Sequence, residues 1–205
     1  MKRKGGTQMK KILLLLANGF ESYEASVFTD VFGWNLYEGN QKTELVSVGI
    51  HPILECTWGY SCIPKCQLKE IDLKEFDALA IPGGFEEANF YEDAFSEEFL
   101  AVIREFDQQN KPIAAVCVAS LAVAKSGVLK GRTGTTYRFK NNPRQDQMSA
   151  MGVQVKSDER IVEDQNIITS SSPETGLDVA FRLLEKLTSE ENTLEVKRRM
   201  GFAVD

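Results

Sequence analysis

Histidine is almost missing from this chain: the 205 residues contain one, His51. Any mechanism that needs a histidine base must use that residue or be abandoned. Basic charge is also short, with 24 lysines and arginines against 30 acidic residues and a net charge of -6. An acidic chain without a concentrated basic stripe is repelled by nucleic acids and anionic membranes, so neither is an expected partner. No long hydrophobic run occurs. Ile12 to Ala17 is too short for a signal core, and Asn18-Gly19-Phe20-Glu21 is no cleavage site. Residues 1–9 are expected as a disordered leader or alternative start, with Met9-Lys10-Lys11 as the true beginning and a cytoplasmic location. Cysteines number only four, which suits free thiols in a reducing compartment. Cys56, Cys62 and Cys66, separated by five and three residues, match no common zinc spacing. Packing or an interface is their expected use, and no metal or cofactor is expected. Neither repeats, low-complexity tracts nor linkers occur, so one domain is expected over 10–190, with a C-terminal helical extension over 191–205.

What is present alternates. Ile12 to Ala17 reads as a buried parallel strand ended by Asn18-Gly19. Val27, Val31 and Trp34, with Phe28 and Phe32, predict a helix from Tyr23 to Tyr37, stopped by Gly39-Asn40. Strands follow at Glu44 to Val48 and Asp77 to Ile81, with a strand or hairpin around Trp58 to Pro64. A helix from Ser96 to Gln109 carries Phe99, Ile103 and Phe106, and the strand Ile113 to Val116 leads directly to Cys117. Val153 to Val155, Ile161 to Glu163 and Ile167 to Ser170 read as strands, before a helix from Glu174 to Thr188. Strands and helices in this alternation predict an α/β fold, a mostly parallel central sheet covered on both faces.

In such a sheet, ligands bind beyond the carboxyl ends of the strands. Three segments end there: Gly19 to Glu24, Pro82-Gly83-Gly84, and Cys117. Ala115 and Ala119 place small residues two positions on either side of Cys117, the spacing of a nucleophile elbow, where a tight strand-to-helix turn projects the central side chain. Facing helix N-terminal amides, that thiol is expected to be acidic and reactive. Spacing alone also fits a buried structural cysteine. Pro82-Gly83-Gly84 fits a plain turn, or a source of amides that, with Val118, form an oxyanion hole. Glu21 and Glu24 suit a helix N-terminus in any case. A buried, protonated glutamate beside the thiol would instead act as a general acid and base.

Taken together, Asn18 to Glu24, Ala80-Ile81-Pro82-Gly83-Gly84, Ala114-Ala115-Val116-Cys117, Gly127 to Arg132 and Thr169 to Thr175 resemble the DJ-1/ThiJ/PfpI superfamily in order and spacing, across about residues 10–188. The resemblance implies a flavodoxin-like three-layer sandwich and a homodimer, with Cys62 or its neighbours at the contact. It places the elbow nucleophile on Cys117, its carboxylate partner on Glu24 rather than Glu21, and backbone anion stabilisation on Gly83, Gly84 and Val118. Two departures stand out. Tyr137 occupies the place where DJ-1-like members carry a histidine after a threonine-rich strand, and Val118 the place where PfpI-like proteases carry one. Tyr137, Phe85, Ser172 and Pro173 are candidate pocket residues, as are Trp34 and Trp58.

Three functions follow in order. The first is processing of a small reactive carbonyl substrate, as in the glyoxalase III and deglycase activities of the family, through a Cys117 hemithioacetal with Glu24 moving the proton. The second is a non-catalytic redox sensor or protective protein working through Cys117 oxidation. The third is a cysteine hydrolase, amidase or protease, for which no histidine is placed.

Overall fold

The computed structural model describes residues 9–139 and 143–204. Of the expected leader over residues 1–9, only Met9 is among them. The first strand, β1 (Lys10–Leu16), is apolar on both sides, and Ile12 to Leu16 are at most 2% exposed, as a strand covered on both faces requires. It feeds α1 (Ser22–Glu38), whose buried stripe is Val27, Phe28, Val31 and Phe32. Next come β2 (Thr43–Gly49), an antiparallel hairpin of β3 (Leu54–Glu55) and β4 (Ser61–Cys62), a short β5 (Cys66–Gln67), and β6 (Ala78–Ile81). The hairpin puts Trp58 in its turn rather than on a strand, because Gly59 at φ 83° bends the chain beside it. Then follow α2 (Phe90–Ala94), α3 (Glu97–Gln108), β7 (Ile113–Ala115), α4 (Ala119–Lys125) and β8 (Thr133–Gly134). The chain closes with α5 (Arg144–Ala150), β9 (Gln154–Val155), β10 (Ile161–Asp164), β11 (Ile167–Ser170), α6 (Gly176–Leu187) and α7 (Glu190–Arg199). Glu174 sits in a short 3₁₀ turn with Pro173, so α6 begins two residues later than the sequence pattern suggests.

Seven strands form the main sheet in the order β10-β11-β7-β6-β1-β2-β5. Every neighbouring pair is parallel except β10 with β11, which are joined by a tight turn with Gln165 at φ 56°. Helices α1, α6 and α7 pack together on one face, while α3 and α4 pack on β6 and β7 from the other. The result is a three-layer, flavodoxin-like sandwich. Its order places β7, β6 and β1 side by side, so the three segments that leave their carboxyl ends are neighbours.

α7 is the most polar of the long helices, and it docks through hydrogen bonds as much as through apolar area. Its buried Asn192 donates to Asn35 Oδ1 of α1 at 2.7 Å and accepts from the Asn40 and Gln41 amides at 2.6 and 3.1 Å. Asn35 passes the chain on to Thr43 Oγ1 of β2 at 2.6 Å. Each of these buried polar groups is satisfied by the next, which ties the C-terminal helix to the helix that carries Glu24.

Candidate active site

The loop after β1 is held from both sides. On one side the hairpin grips it, with Gly19 N–H donating to Glu55 O at 2.7 Å and Thr57 N–H to Phe20 O at 2.8 Å. On the other, Glu21 N–H donates to Gly83 O at 2.7 Å and Phe85 N–H to Gly19 O at 3.4 Å, a one-residue bridge between Phe20 and Gly84. A Cβ on Gly84 would collide with the Gly19 carbonyl oxygen and the Phe90 ring. Only glycine permits so close an approach of two backbones.

Across the bridge, β7 ends at the elbow. Cys117 has φ 55°, a left-handed conformation that costs a non-glycine residue about 1–2 kcal/mol. The surroundings hold it there. Its N–H donates to Ser170 Oγ at 3.3 Å, and its carbonyl accepts from Thr136 Oγ1 at 3.1 Å and Ser120 N–H at 3.3 Å. Ala115 and Ala119 are fully buried against the turn, where larger side chains would not fit. The sulfur sits at the floor of a cavity of about 600 Å³.

Glu24, in the first turn of α1, reaches under the elbow and is wholly buried. Its Oε2 accepts from Gly83 N–H at 2.5 Å, whereas Oε1 has no hydrogen-bond partner among the described residues; the carboxyl lies beside the Cys117 thiol. Burial, with the charge of Glu21 second, pushes the Glu24 carboxyl up to about 8, so it keeps its proton at neutral pH. The Gly83 N–H, expected to stabilise an anion, donates to the Glu24 carboxyl. The expectation of an acidic thiol also needs correcting. Burial, and then a Glu24 carboxylate, push the Cys117 thiol well up, against the downward pull of the Val118 N–H on the sulfur. A protonated Glu24 removes the second cause and offers an O–H to the sulfur, so the pair reaches its singly ionised form as one unit.

Several comparisons bear on this geometry. The family model described as DJ-1/PfpI family matches residues 10–186. The chain belongs to that family. DJ-1/PfpI relatives include protein dj-1beta of Drosophila melanogaster, 27% identical over 196 residues, covering 95% of this chain and 98% of that protein. Deglycase PfpI of Pyrococcus furiosus is 29% identical over 163 residues, covering 80% and 90%. The crystal structure of Drosophila melanogaster DJ-1beta superposes with a TM-score of 0.82 at 25% identity, covering 96% of this chain and all of that one.

Beyond the family's elbow, the pocket has its own character. Tyr137, Phe85, Ser172 and Pro173 line it, as do Glu21, Gly84 and Val118. Trp58 does not, but its ring backs Phe85 at 5.4 Å. Trp34 lies on the outer face of α1, 43% exposed, away from the elbow, because β1 and its sheet stand on the other side of that helix. His51 is in a loop, pairs with Asp93 Oδ1 at 2.9 Å and is not part of the lining. Sequence reasoning missed Tyr91 and Arg144. Arg144 comes from α5, donates to Glu86 Oε2 at 2.7 Å and stands over the Tyr91 ring, 4.9 Å from its centre. Only Pro143, a helix-starting signal just before it, marks that region in the sequence.

Proposed function

We propose that this chain is a cysteine-dependent enzyme acting on small reactive carbonyl compounds, of the deglycase or glyoxalase III type. The observation that carries this reading is the buried Glu24 carboxyl, held on one oxygen by Gly83, unpartnered on the other, and beside the Cys117 thiol. Relatives from Pyrococcus carry the name deglycase, which supports the same class.

With methylglyoxal, the sulfur of the singly ionised pair adds to the aldehyde carbon, and Glu24 gives its proton to the new alkoxide, forming a hemithioacetal. The Glu24 carboxylate then takes the proton from that carbon and returns it to the adjacent carbonyl carbon, while the hydroxyl proton passes to the neighbouring oxygen, turning the hemithioacetal into a lactoyl thioester. Water attacks the thioester, Cys117 leaves as thiolate and regains its proton, and lactate is released. Atoms balance as methylglyoxal plus water to lactic acid, with no external oxidant. This reading assigns the Gly84 and Val118 N–H groups to the oxygen that becomes charged. No histidine enters any step. Incubation with methylglyoxal and measurement of lactate tests the reading: turnover that disappears in Cys117→Ser supports it, and turnover unchanged in that variant ends it.

A second reading, oxidation of Cys117 as a redox signal, is favoured by the same carboxyl proton and Val118 N–H, which would hold a sulfinate. Intact mass after mild peroxide, with two oxygens added at Cys117 and no lactate formed from methylglyoxal, would select it. A cytoplasmic homodimer accompanies either reading, to be checked by fractionation and light scattering.

A further inference from the structure

The cavity above Cys117 is lopsided in charge. Among the described residues its lining holds four glutamates, Glu21, Glu86, Glu87 and Glu174, against one arginine, Arg144. Two of these carboxylates are matched. Glu86 takes the Arg144 guanidinium, and Glu174 faces Arg160, which binds it at 2.8 Å from outside the lining. No ion pair among the described residues falls on Glu21 or Glu87. Aromatic faces sit between the acids. Arg144 stands over Tyr91, and the Arg138 guanidinium lies 5.4 Å from the centre of the Phe139 ring, so two lining rings already carry a cation of the protein's own. Phe85 and Tyr137 carry none among the described residues, although Phe85 is 42% exposed at the mouth and stiffened from behind by Trp58. Outside that lining, the wholly buried Glu24 Oε1 also lacks a hydrogen-bond partner.

Ring faces and carboxylates in one cavity attract organic cations and repel anions. We propose that this mouth is a cation subsite: the carbonyl compound presented to Cys117 carries a protonated amine or quaternary ammonium group, which rests between Phe85 and Glu87, and anionic oxo acids are turned away. The proposal rests on Cys117 as the reacting nucleophile, and its test needs no turnover.

The test uses two methanethiosulfonates, one ending in trimethylammonium and one in sulfonate, on the full chain. In each, the Cys117 thiolate attacks the sulfenyl sulfur, a disulfide forms and methanesulfinate leaves. Rates at Cys117 are read by peptide mass, and the cation-to-anion ratio is divided by that of a small free thiol at the same pH and salt. Because it is a ratio at one sulfur, changes in thiol acidity cancel. The expected ratio is about tenfold above the free thiol, a modest case of electrostatic focusing. Glu87→Gln and the charge-neutral Phe85→Leu should each lower it about threefold, while Glu191→Gln, on α7 and outside the pocket, should not. Glu87 and Phe85 are both exposed, so neither change threatens folding. A ratio equal to that of the free thiol overturns the proposal, as does one that ignores both pocket variants. Retained cation preference without lactate formation from methylglyoxal would remove that uncharged substrate and leave the subsite standing.

Discussion

Cys117 and Cys56 are almost equally buried, at 5% and 3% exposure, yet they occupy opposite kinds of surroundings. Cys56 lies in the β3–β4 hairpin, where its N–H donates to Tyr60 O at 3.0 Å in an ordinary turn. Its neighbour Cys62 is half-buried, and burial together with Cys56 holds its thiol up. Cys117 instead has a left-handed backbone, a carboxyl with a free oxygen, and a cavity above it. Burial alone therefore says little about a cysteine's chemistry. What distinguishes the elbow is strain and a displaced proton held in place by surrounding groups, features that stability alone would not select.

The sharpest way to break this contrast is by exchange of sulfur for oxygen. Cys117→Ser should abolish lactate formation, while Cys62→Ser and Cys66→Ser should leave it within about twofold, as expected for residues outside the reacting constellation. Loss at either of the latter would move the chemistry to the hairpin. Next in size is Glu24→Gln, which preserves an acceptor for Gly83 but cannot shuttle a proton. Turnover should drop by about 10²–10⁴-fold, the usual range for a general acid and base. If full rate persists, the carboxyl is only a packing group. A smaller effect comes from pH. The reactive state has lost one proton from the pair, so kcat/KM should rise with pH, about tenfold per unit, towards a midpoint near 8. A profile flat between pH 6 and 9 would mean that the pair ionises elsewhere.

The smallest effect is on stability. Glu24 binds its proton more tightly in the folded chain than in the unfolded one, so its contribution is full below about pH 4.5 and is lost as the pH rises through about 8. Urea midpoints at pH 5 and pH 9 should therefore differ more in the parent chain than in Glu24→Gln, by an amount on the order of a few kcal/mol. Equal differences would show that other groups govern the slope.

Residues whose role is set by chain-local pattern could be read directly. The apolar strands Ile12 to Leu16 and Ile113 to Ala115 fix the sheet, and Ala115 and Ala119 mark the elbow, because bulk is excluded there whatever lies further away. Glu24 was distinguishable from Glu21 only through the family resemblance, since both suit a helix start and only packing tells which is swallowed. The commitment of the Gly83 amide to Glu24 could not be read at all, because a sequence does not show where an N–H points. Burial of the thiol was hidden for the same reason: the helix terminus is visible in the pattern, whereas the cavity beside the sulfur is lined by Tyr91, Tyr137 and Pro173, drawn from three distant stretches. β8 has two residues, too few to show any period, whereas β9 falls within the expected strand Val153 to Val155.

The asparagine latch between α7 and α1 has a consequence for how the protein is made. β1 and α1 precede most of the fold in sequence, but Asn35 finds its partner on α7, and α1 also rests on α6. The carboxyl that confronts Cys117 is thus mounted on an element that must wait for nearly the whole chain to be synthesised before its seat is complete. A chain cut before residue 176 would lack both α6 and α7, and with them the packing that seats α1 and its Glu24.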